Sequence, residues 1–275
     1  MGAAAMSRLA RRFANWTGRP MSSPAGAVSG RDDIAAALRA APSGATFLPF
    51  GLGRSYGDVC LNAGGVMIES RPRDRFIAFD RDAGILRAES GVTLGEVIDI
   101  ALPHGWFPPV VPGTRHVTLG GALANDVHGK NHHRSGTFGR HVARFELLRS
   151  DGPARVCQPC DPLFEATVGG MGLTGFVTWI ELRLARVAGP WLVATDLRFD
   201  GLDAYFELAG RLAGDHEHVV AWIDAACTGG GFGRGVLSVA DHAPADAAGR
   251  RRAAPRSTCR CDRRCRWCRR RRCAR

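Results

Sequence analysis

The sequence contains almost no lysine and no long apolar run. Lys130 is the only lysine, so arginine supplies nearly all of the positive charge. No segment approaches the length of about 18 consecutive apolar residues that a membrane-spanning helix needs. Arg8, Arg11 and Arg12 are not followed by the apolar core of a secretory signal peptide. We therefore expect a cytoplasmic protein, with any membrane contact peripheral.

Acidic residues are nearly absent from the C-terminal segment, which dominates the charge of the chain. The net charge is +11, but residues 250–275 hold thirteen arginines and one aspartate, a local charge of +12, which leaves −1 for the other 249 residues. A near-neutral body argues against a nucleic-acid partner, and an RNA-binding arm stays a remote alternative for the tail. Because residues 244–275 have no periodic apolar face, we expect a disordered Arg/Cys-rich tail there.

The body also lacks cysteine pairs with the spacing of a complete metal site. Five of the nine cysteines lie in the last seventeen residues, where Cys265 and Cys268 are a weak zinc-knuckle candidate. Cys157 and Cys160 form a CxxC pair without a second half, so we expect no metal or redox role for them. Isolated Cys60 is typical of a buried small hydrophobe in a reducing compartment.

Glycine, in contrast, is concentrated in two loops about sixty residues apart. Residues 49–58 read PFGLGRSYGD and residues 112–121 read PGTRHVTLGG, and each follows an apolar segment. Glycine lets the backbone adopt positive φ and bring several N–H groups to one anion. The two loops therefore predict a site for a pyrophosphate-containing cofactor. Residues 125–133, NDVHGKNHH, follow directly and place titratable groups near the reactive end of such a cofactor.

Apolar periodicity predicts two successive α+β units. The first contains a helix over 31–41, short strands over 46–49 and 65–69, a hairpin of 75–80 with 84–90, and a helix over 94–102. The second contains a short helix over 118–123 whose N–H groups face a phosphate, a strand over 141–150, a helix starting at Asp161 and a strand over 175–186. Residues 191–224 then predict a strand, a helix and a strand. The cofactor is expected between the two units.

Four strings carry a family resemblance. GRSYGD, ALPHGWFPPVVPGTRHVTLGGALANDVHGKNHH, SGTFGRHV and ATVGGMGLTG follow one another between residues 53 and 175. On these strings, the chain resembles the PCMH-type (vanillyl-alcohol-oxidase-type) FAD-binding flavoproteins, and most of all their decaprenylphosphoryl-ribose 2-oxidase branch. The resemblance implies an α+β fold with a two-lobed PCMH-type FAD-binding domain at 1–188. It also implies the truncated start of an α+β substrate (cap) domain at 189–243, before the tail at 244–275.

The resemblance further implies FAD as the cofactor. Several members attach FAD to a histidine at the position of Arg54, and because arginine cannot form that bond, we expect non-covalent FAD. The residues that match cofactor-binding positions are Gly51, Gly53, Arg54, Ser55, Tyr56, Gly57, Asp58, Gly113, Arg115, Thr118, Leu119, Gly120, Gly121, Asn125, His128 and Val177.

Three residues are candidates for the catalytic chemistry. His128 is suited to proton removal while hydride passes to the flavin, Lys130 to binding a substrate phosphate or stabilising reduced flavin, and Tyr56 to a position near the flavin and the sugar. His132 and His133 follow closely, but no carboxylate or cysteine set accompanies them, so no metal is predicted at this segment.

The implied activity is that of an FAD-dependent oxidoreductase acting on CH–OH groups. Its substrate would be a secondary alcohol of a sugar or polyprenyl-phospho-sugar, as in cell wall biosynthesis. An aldonolactone or alditol oxidase and a catalytically inactive FAD-binding fragment stay open as alternatives. The family carries a longer cap and a further lysine near its C-terminus. Their absence here, with the abrupt Arg/Cys composition, predicts a truncated, frameshifted sequence. The oligomeric state is not predicted.

Overall fold

The computed structural model describes residues 13–18, 26–30 and 34–244. Within these residues the chain mixes helices with parallel and antiparallel sheets, which confirms the predicted α+β class. The expectations for the N-terminal twelve residues and for residues 245–275, including the disordered tail, lie outside the described residues.

The first sheet is parallel and leads into the first glycine loop. Its strands β1 (Gly26–Ser29), β2 (Phe47–Phe50) and β3 (Val66–Glu69) lie in the order β1-β3-β2, with helix α1 (Ile34–Ala40) between β1 and β2. Successive strand residues point to opposite faces, so Met67 packs with Leu48 while Ile68 packs with Ile34. Burial of both faces is usual for parallel strands. Gly51 of the first glycine loop directly follows the last residue of β2.

The second sheet is antiparallel and carries the largest core. Its strands are β4 (Phe76–Asp80), β5 (Ile85–Glu89), β7 (Val142–Leu148), β8 (Arg155–Cys157) and β9 (Phe176–Arg183), in the order β4-β5-β9-β7-β8. Four helices follow one another around it: α2 (Leu94–Ala101), α3 (Leu119–Ala124), α4 (His132–Ser135) and α5 (Pro162–Thr167). Val97, Leu123 and Phe164, from three of these helices, share one buried cluster with Ile180 of β9. The predicted hairpin is confirmed as β4 and β5.

A two-stranded ribbon and a third sheet complete the described chain. The ribbon pairs β6 (Trp106–Phe107) with β10 (Ala185–Arg186). In the third sheet β11 (Leu192–Phe199), β13 (Gly235–His242) and β12 (His218–Ile223) are antiparallel in the order β11-β13-β12, and helix α6 (Leu202–Leu212) lies against it. The predicted strand, helix and strand are confirmed as β11, α6 and β12, whereas the central strand β13 was not predicted.

The third sheet contacts the segment that precedes α4. The Val219 backbone N–H donates to the Lys130 carbonyl oxygen at 2.8 Å. Nearby, His133 Nε2 lies 3.1 Å from the His216 carbonyl oxygen. These bonds place the start of β12 beside residues 130–133. The proposed boundary between residues 188 and 189 stays a prediction.

Candidate functional site

A cavity of about 450 Å³ lies between the two glycine loops. Its walls come from residues 51–56, from residues 112–121, and from the loop that enters β9. The sequence-predicted residues that line it are Gly51, Gly53, Arg54, Ser55, Tyr56, Gly113, Thr118, Gly120, Gly121, Asn125 and Val177. Two loops separated by about sixty residues in the sequence therefore form one site, as their composition predicted.

The first loop is held in place by the N-terminal segment. The Trp16 backbone N–H donates to the Ser55 carbonyl oxygen at 3.0 Å, and the buried Asn15 side chain donates to the Gly57 carbonyl oxygen at 2.7 Å. Gly53 has a φ of +62°, and a Cβ there would collide with the Ala14 carbonyl oxygen. Gly53 therefore allows both the left-handed turn and the close approach of the two segments.

The backbone donors of this loop are available to a ligand. Within the described chain, no backbone N–H from Gly51 to Arg54 donates to a protein acceptor. The Arg54 guanidinium lies over the Trp16 ring at 5.2 Å and donates to the His116 carbonyl oxygen at 3.2 Å. No acidic side chain is found among the described residues that line the cavity. Free N–H groups beside one arginine suit an anionic group such as a pyrophosphate.

The second loop meets the first at Thr118. The Thr118 side chain accepts a hydrogen bond from the Gly121 backbone N–H and so begins helix α3. A Cβ at Gly51 would collide with the Thr118 hydroxyl, so the glycine permits the two loops to touch. Both residues line the cavity at this contact.

The sequence predicted that the first N–H groups of helix α3 face a phosphate in the cavity, but two of them donate to protein acceptors instead. Leu119 donates its backbone N–H to the Val92 carbonyl oxygen at 2.7 Å, and Gly120 donates to the Ser90 carbonyl oxygen at 2.8 Å. The Leu119 side chain is fully buried in the main core. This helix therefore contributes Thr118 and the glycine surface to the site, because its first amide groups already have acceptors.

Arg115 also points away from the cavity. Its guanidinium donates to the Gly95 carbonyl oxygen at 2.7 Å and forms an ion pair with Asp99 at 2.6 Å, both on α2. The side chain thus fixes the second loop to α2, and Arg115 is not among the residues that line the cavity. Gly57 and Asp58 likewise lie outside the cavity lining.

The candidate catalytic residues occupy two different places. Tyr56 lines the cavity with 74% of its surface exposed, and its ring lies 6.5 Å from that of Trp16. His128 and Lys130 are exposed and lie beyond the cavity lining, on the segment that continues from Asn125. The His128 ring is 5.5 Å from the His132 ring.

Sequence reasoning missed a further part of the cavity wall. Met171 and Gly172 line the cavity there, and the Met171 backbone N–H donates to the Ala124 carbonyl oxygen at 2.7 Å. Met171 has a φ of +54°, an unusual value for a residue with a side chain. The string ATVGGMGLTG was the available signal, since its glycines mark a constrained loop.

Cys60 was expected in the core and instead also borders the cavity. It packs against the cluster around Phe50 while contributing to the cavity lining. Burial raises the pKa of the Cys60 thiol, although hydrogen bonds involving Ser55 oppose this effect. The group is therefore a neutral thiol at neutral pH.

Comparison with known proteins identifies the cofactor domain. Residues 27–158 match the FAD binding domain family. The chain therefore carries an FAD-binding domain over this range. Its FAD-binding domain contains both glycine loops, and FAD is its cofactor. The donors and charge of the cavity fit such a ligand, because free N–H groups and Arg54 suit the pyrophosphate while Phe176 and Val177 offer an apolar wall.

Individual relatives extend the match beyond that domain. The chain is 37% identical over 237 residues to decaprenylphosphoryl-beta-D-ribose oxidase of Mycolicibacterium smegmatis, covering 83% of this chain and 51% of the relative. It is 44% identical over 159 residues to an uncharacterized protein of Streptomyces coelicolor, covering 57% of this chain and 42% of that protein. Human Delta(24)-sterol reductase is 31% identical over 130 residues, 46% of this chain and 24% of the reductase. The chain thus spans about half the length, or less, of these relatives.

The helices in the described ranges are all too short or too polar to cross a membrane.

Proposed function

We propose that this chain holds FAD non-covalently in the cavity between its glycine loops. The observation that carries the proposal is the first loop itself: its backbone N–H groups from Gly51 to Arg54 have no protein acceptor within the described chain, and its residues line a cavity that has no acidic side chain among the described residues. In this arrangement the pyrophosphate lies against the first loop and Thr118. Arginine at position 54 offers no nucleophile for attachment to the flavin, which supports a dissociable cofactor.

The two ends of the cofactor are proposed to lie at opposite sides of this cavity. Val177, on the apolar wall, would contact the adenine end. Asn125 and Tyr56 would lie beside the isoalloxazine. The Asn125 amide already donates to the Gly121 carbonyl oxygen at 2.9 Å, which fixes its orientation. The remaining amide oxygen is then free to accept a hydrogen bond from a ligand.

We further propose that the protein oxidises a secondary alcohol of a sugar or polyprenyl-phospho-sugar. FAD, when bound, accepts a hydride from the carbinol carbon, and loss of the hydroxyl proton then gives a ketone. His128 would accept that proton at an imidazole nitrogen, and Lys130 would bind the substrate phosphate. The similarity to decaprenylphosphoryl-beta-D-ribose oxidase supports this substrate class. Residues 189–243 would begin the substrate-binding unit of a cytoplasmic protein.

Flavin release tests the cofactor proposal. The purified protein is precipitated with acid, and the absorbance and fluorescence of supernatant and pellet are compared. We expect FAD in the supernatant at a ratio near one per chain. Flavin that stays on the washed pellet would contradict the non-covalent mode, whereas no flavin in either fraction after reconstitution would contradict the site itself.

Anaerobic flavin reduction tests the activity. We expect a polyprenyl-phospho-pentose to bleach the flavin absorbance of the FAD-loaded protein. His128→Gln should slow the bleaching by roughly 10²-fold or more with unchanged flavin content. His104→Gln serves as the control, because His104 lies on the turn after α2 with its ring 5.9 Å from that of Phe79, away from the segment that continues from Asn125. Bleaching only by an aldonolactone or alditol would favour that alternative. No bleaching by either class would favour a protein that binds FAD without oxidising these substrates.

A further inference from the structure

Three metal-ligand side chains converge where the third sheet meets the cofactor domain. Glu217, His218 and His242 each offer one ligand atom, and these atoms lie within 4.8 Å of one another. His218 Nε2 is 3.5 Å from Glu217 Oε1. The three residues are absent from the lining of the FAD cavity, so they form a separate cluster.

Two of these ligand atoms make no hydrogen bond. Within the described chain, Nε2 of His218 and Nε2 of His242 are buried and make no hydrogen bond. Buried polar atoms in folded proteins nearly always have a partner. Two imidazole nitrogens without a hydrogen bond, beside one carboxylate, therefore favour a cation as their shared partner.

The strand register produces this convergence. In the antiparallel pair of β12 and β13, His218 lies opposite Ala240. His242 is two residues further along β13 and therefore projects from the same face as His218. The Glu217 backbone N–H donates to the Asp241 carboxylate at 2.7 Å, which holds the start of β12 against the end of β13.

One hydrogen bond also selects the ligand atom of His242. Its Nδ1 lies 3.0 Å from the Gly189 carbonyl oxygen, which can only accept, so Nδ1 donates its proton to that oxygen. This leaves Nε2 as the nitrogen of His242 that can bind a metal ion.

We propose that Glu217, His218 and His242 bind a divalent transition-metal ion, with Zn²⁺ as the expected metal. Two imidazole nitrogens and one carboxylate oxygen are borderline ligands that Zn²⁺ accepts, with water completing a tetrahedron. Bonds of about 2.0–2.2 Å at tetrahedral angles separate ligand atoms by roughly 3.3–3.6 Å. The separation of 3.5 Å between His218 Nε2 and Glu217 Oε1 already matches this value.

The location implies a structural role. The cluster adjoins the hydrogen bonds from Val219 to Lys130 and between His133 and His216. A metal ion here would stabilise the packing of the third sheet on the segment that continues from His128. The site is independent of FAD, so its ligation is measurable with or without the flavin.

The test measures metal binding to the full chain. After removal of metal by a chelator, the protein is titrated with Co²⁺ and with Zn²⁺, and the stoichiometry, the visible Co²⁺ spectrum and the melting temperature are recorded. Cysteines in the tail bind metals through sulfur, and their thiolate-to-cobalt absorption separates them from a nitrogen and oxygen site. We expect one equivalent without thiolate absorption, and a Zn²⁺-dependent rise in melting temperature.

Substitutions of the three ligand residues test where this one equivalent of metal binds. His218→Asn and His242→Asn should each lose one equivalent and the rise in melting temperature, while His104→Asn retains both. Glu217→Gln keeps the fold intact, because its side chain is 38% exposed, and it should weaken binding by roughly tenfold or more. Unchanged binding by Glu217→Gln together with an unchanged Co²⁺ spectrum in folded His218→Asn or His242→Asn would overturn the proposal. The proposal would also be overturned if the original protein bound metal only with thiolate-to-cobalt absorption, or bound none.

Discussion

Gly53 determines whether the first loop can form. Its φ of +62° is costly for any residue with a side chain, and a Cβ would also collide with the Ala14 carbonyl oxygen. We expect Gly53→Ala to lower the free energy of unfolding by about 2–4 kcal/mol, the sum of backbone strain and steric overlap. FAD affinity should fall at least tenfold, since the free N–H groups move. Urea unfolding and FAD titration measure the two effects.

Gly57→Ala is the matched control at this scale. Gly57 has a φ of +66°, yet nothing lies within 4 Å of the Cβ that alanine would add. This variant should lose only about 1 kcal/mol, from the backbone term. Equal losses in the two variants would mean that the contact with Ala14 does not constrain the loop.

The residue types in the two loops predicted that the loops meet at one cavity, but they did not predict which way individual side chains and N–H groups point. Most glycines of the two loops line one cavity, as their string composition indicated: Gly51, Gly53, Gly113, Gly120 and Gly121. Arg115 was expected at the phosphate and instead contacts α2, because Asp99 supplies a charge partner that loop composition does not reveal. Likewise, the acceptors of the Leu119 and Gly120 N–H groups come from residues 90–92, which only the tertiary fold brings near.

Strand β9 is tied to both of its neighbours by one carboxylate. Glu181 lies opposite Arg87 of β5 and Arg144 of β7, and each arginine Nε donates to it at 2.9 Å. Burial raises the pKa of Glu181, but the hydrogen bonds from Arg144 and Arg87 outweigh this, so the pKa is lowered. The ionised carboxylate therefore stabilises the centre of the sheet.

The lowered pKa of Glu181 makes its contribution to the free energy of unfolding depend on pH. Because the pKa is lowered in the folded state, the contribution of Glu181 is present above the ordinary glutamate pKa and is lost as the pH falls through the folded value. Glu181→Gln should cost about 1–3 kcal/mol at neutral pH, and less as the solution becomes acidic. Urea unfolding of both proteins across this pH range measures the difference.

Asp151→Asn is the control for that element-scale prediction. Asp151 pairs with Arg149 in an exposed turn, where ion pairs contribute little. The Asp151→Asn variant should have the same free energy of unfolding as the original protein at neutral pH. A pH-independent effect of Glu181→Gln would show that the substitution acts through packing, and the ion-pair account of β9 would then fail.

Helices and strands with a regular spacing of apolar residues were predictable from the sequence. Strands that form mainly through pairing with neighbouring strands were not. The hairpin β4–β5, helix α2 and strand β9 show clear alternation or helical spacing, and the structure confirms them. In contrast, β1 reads GAVS and β8 reads RVC, too short to carry a period. Strand β13 was missed because its sequence, GVLSVADH, ends in polar residues next to a polar segment. Its central position comes from pairing with β11 and β12.

At the scale of the whole molecule, the third sheet is the least covered part. Its strands expose Val193, with 62% of its surface accessible, and Trp222, with 66%. Its links to the rest of the described chain include the bonds at residues 130 and 133 and the contact of His242 with Gly189. The proposed metal site lies at this junction, so the organisation of the third sheet would depend on few polar groups.

Charge is also divided unequally over the molecule, and the division makes a prediction about binding to polyanions. Residues 250–275 carry +12, whereas the rest of the chain carries −1. Deletion of residues 245–275 should abolish salt-sensitive retention on heparin, because retention by a polyanion scales with the cations engaged. A full-length variant with the tail arginines changed to glutamine should behave like the deletion, which separates the effect of charge from that of chain length.

The flavin content per chain should stay the same in all three proteins, since the cavity is formed by residues 16–177. Retention that survives both changes would reveal a basic surface on the body. Loss of flavin in the deletion alone would show that the tail supports the cofactor domain through contacts other than charge.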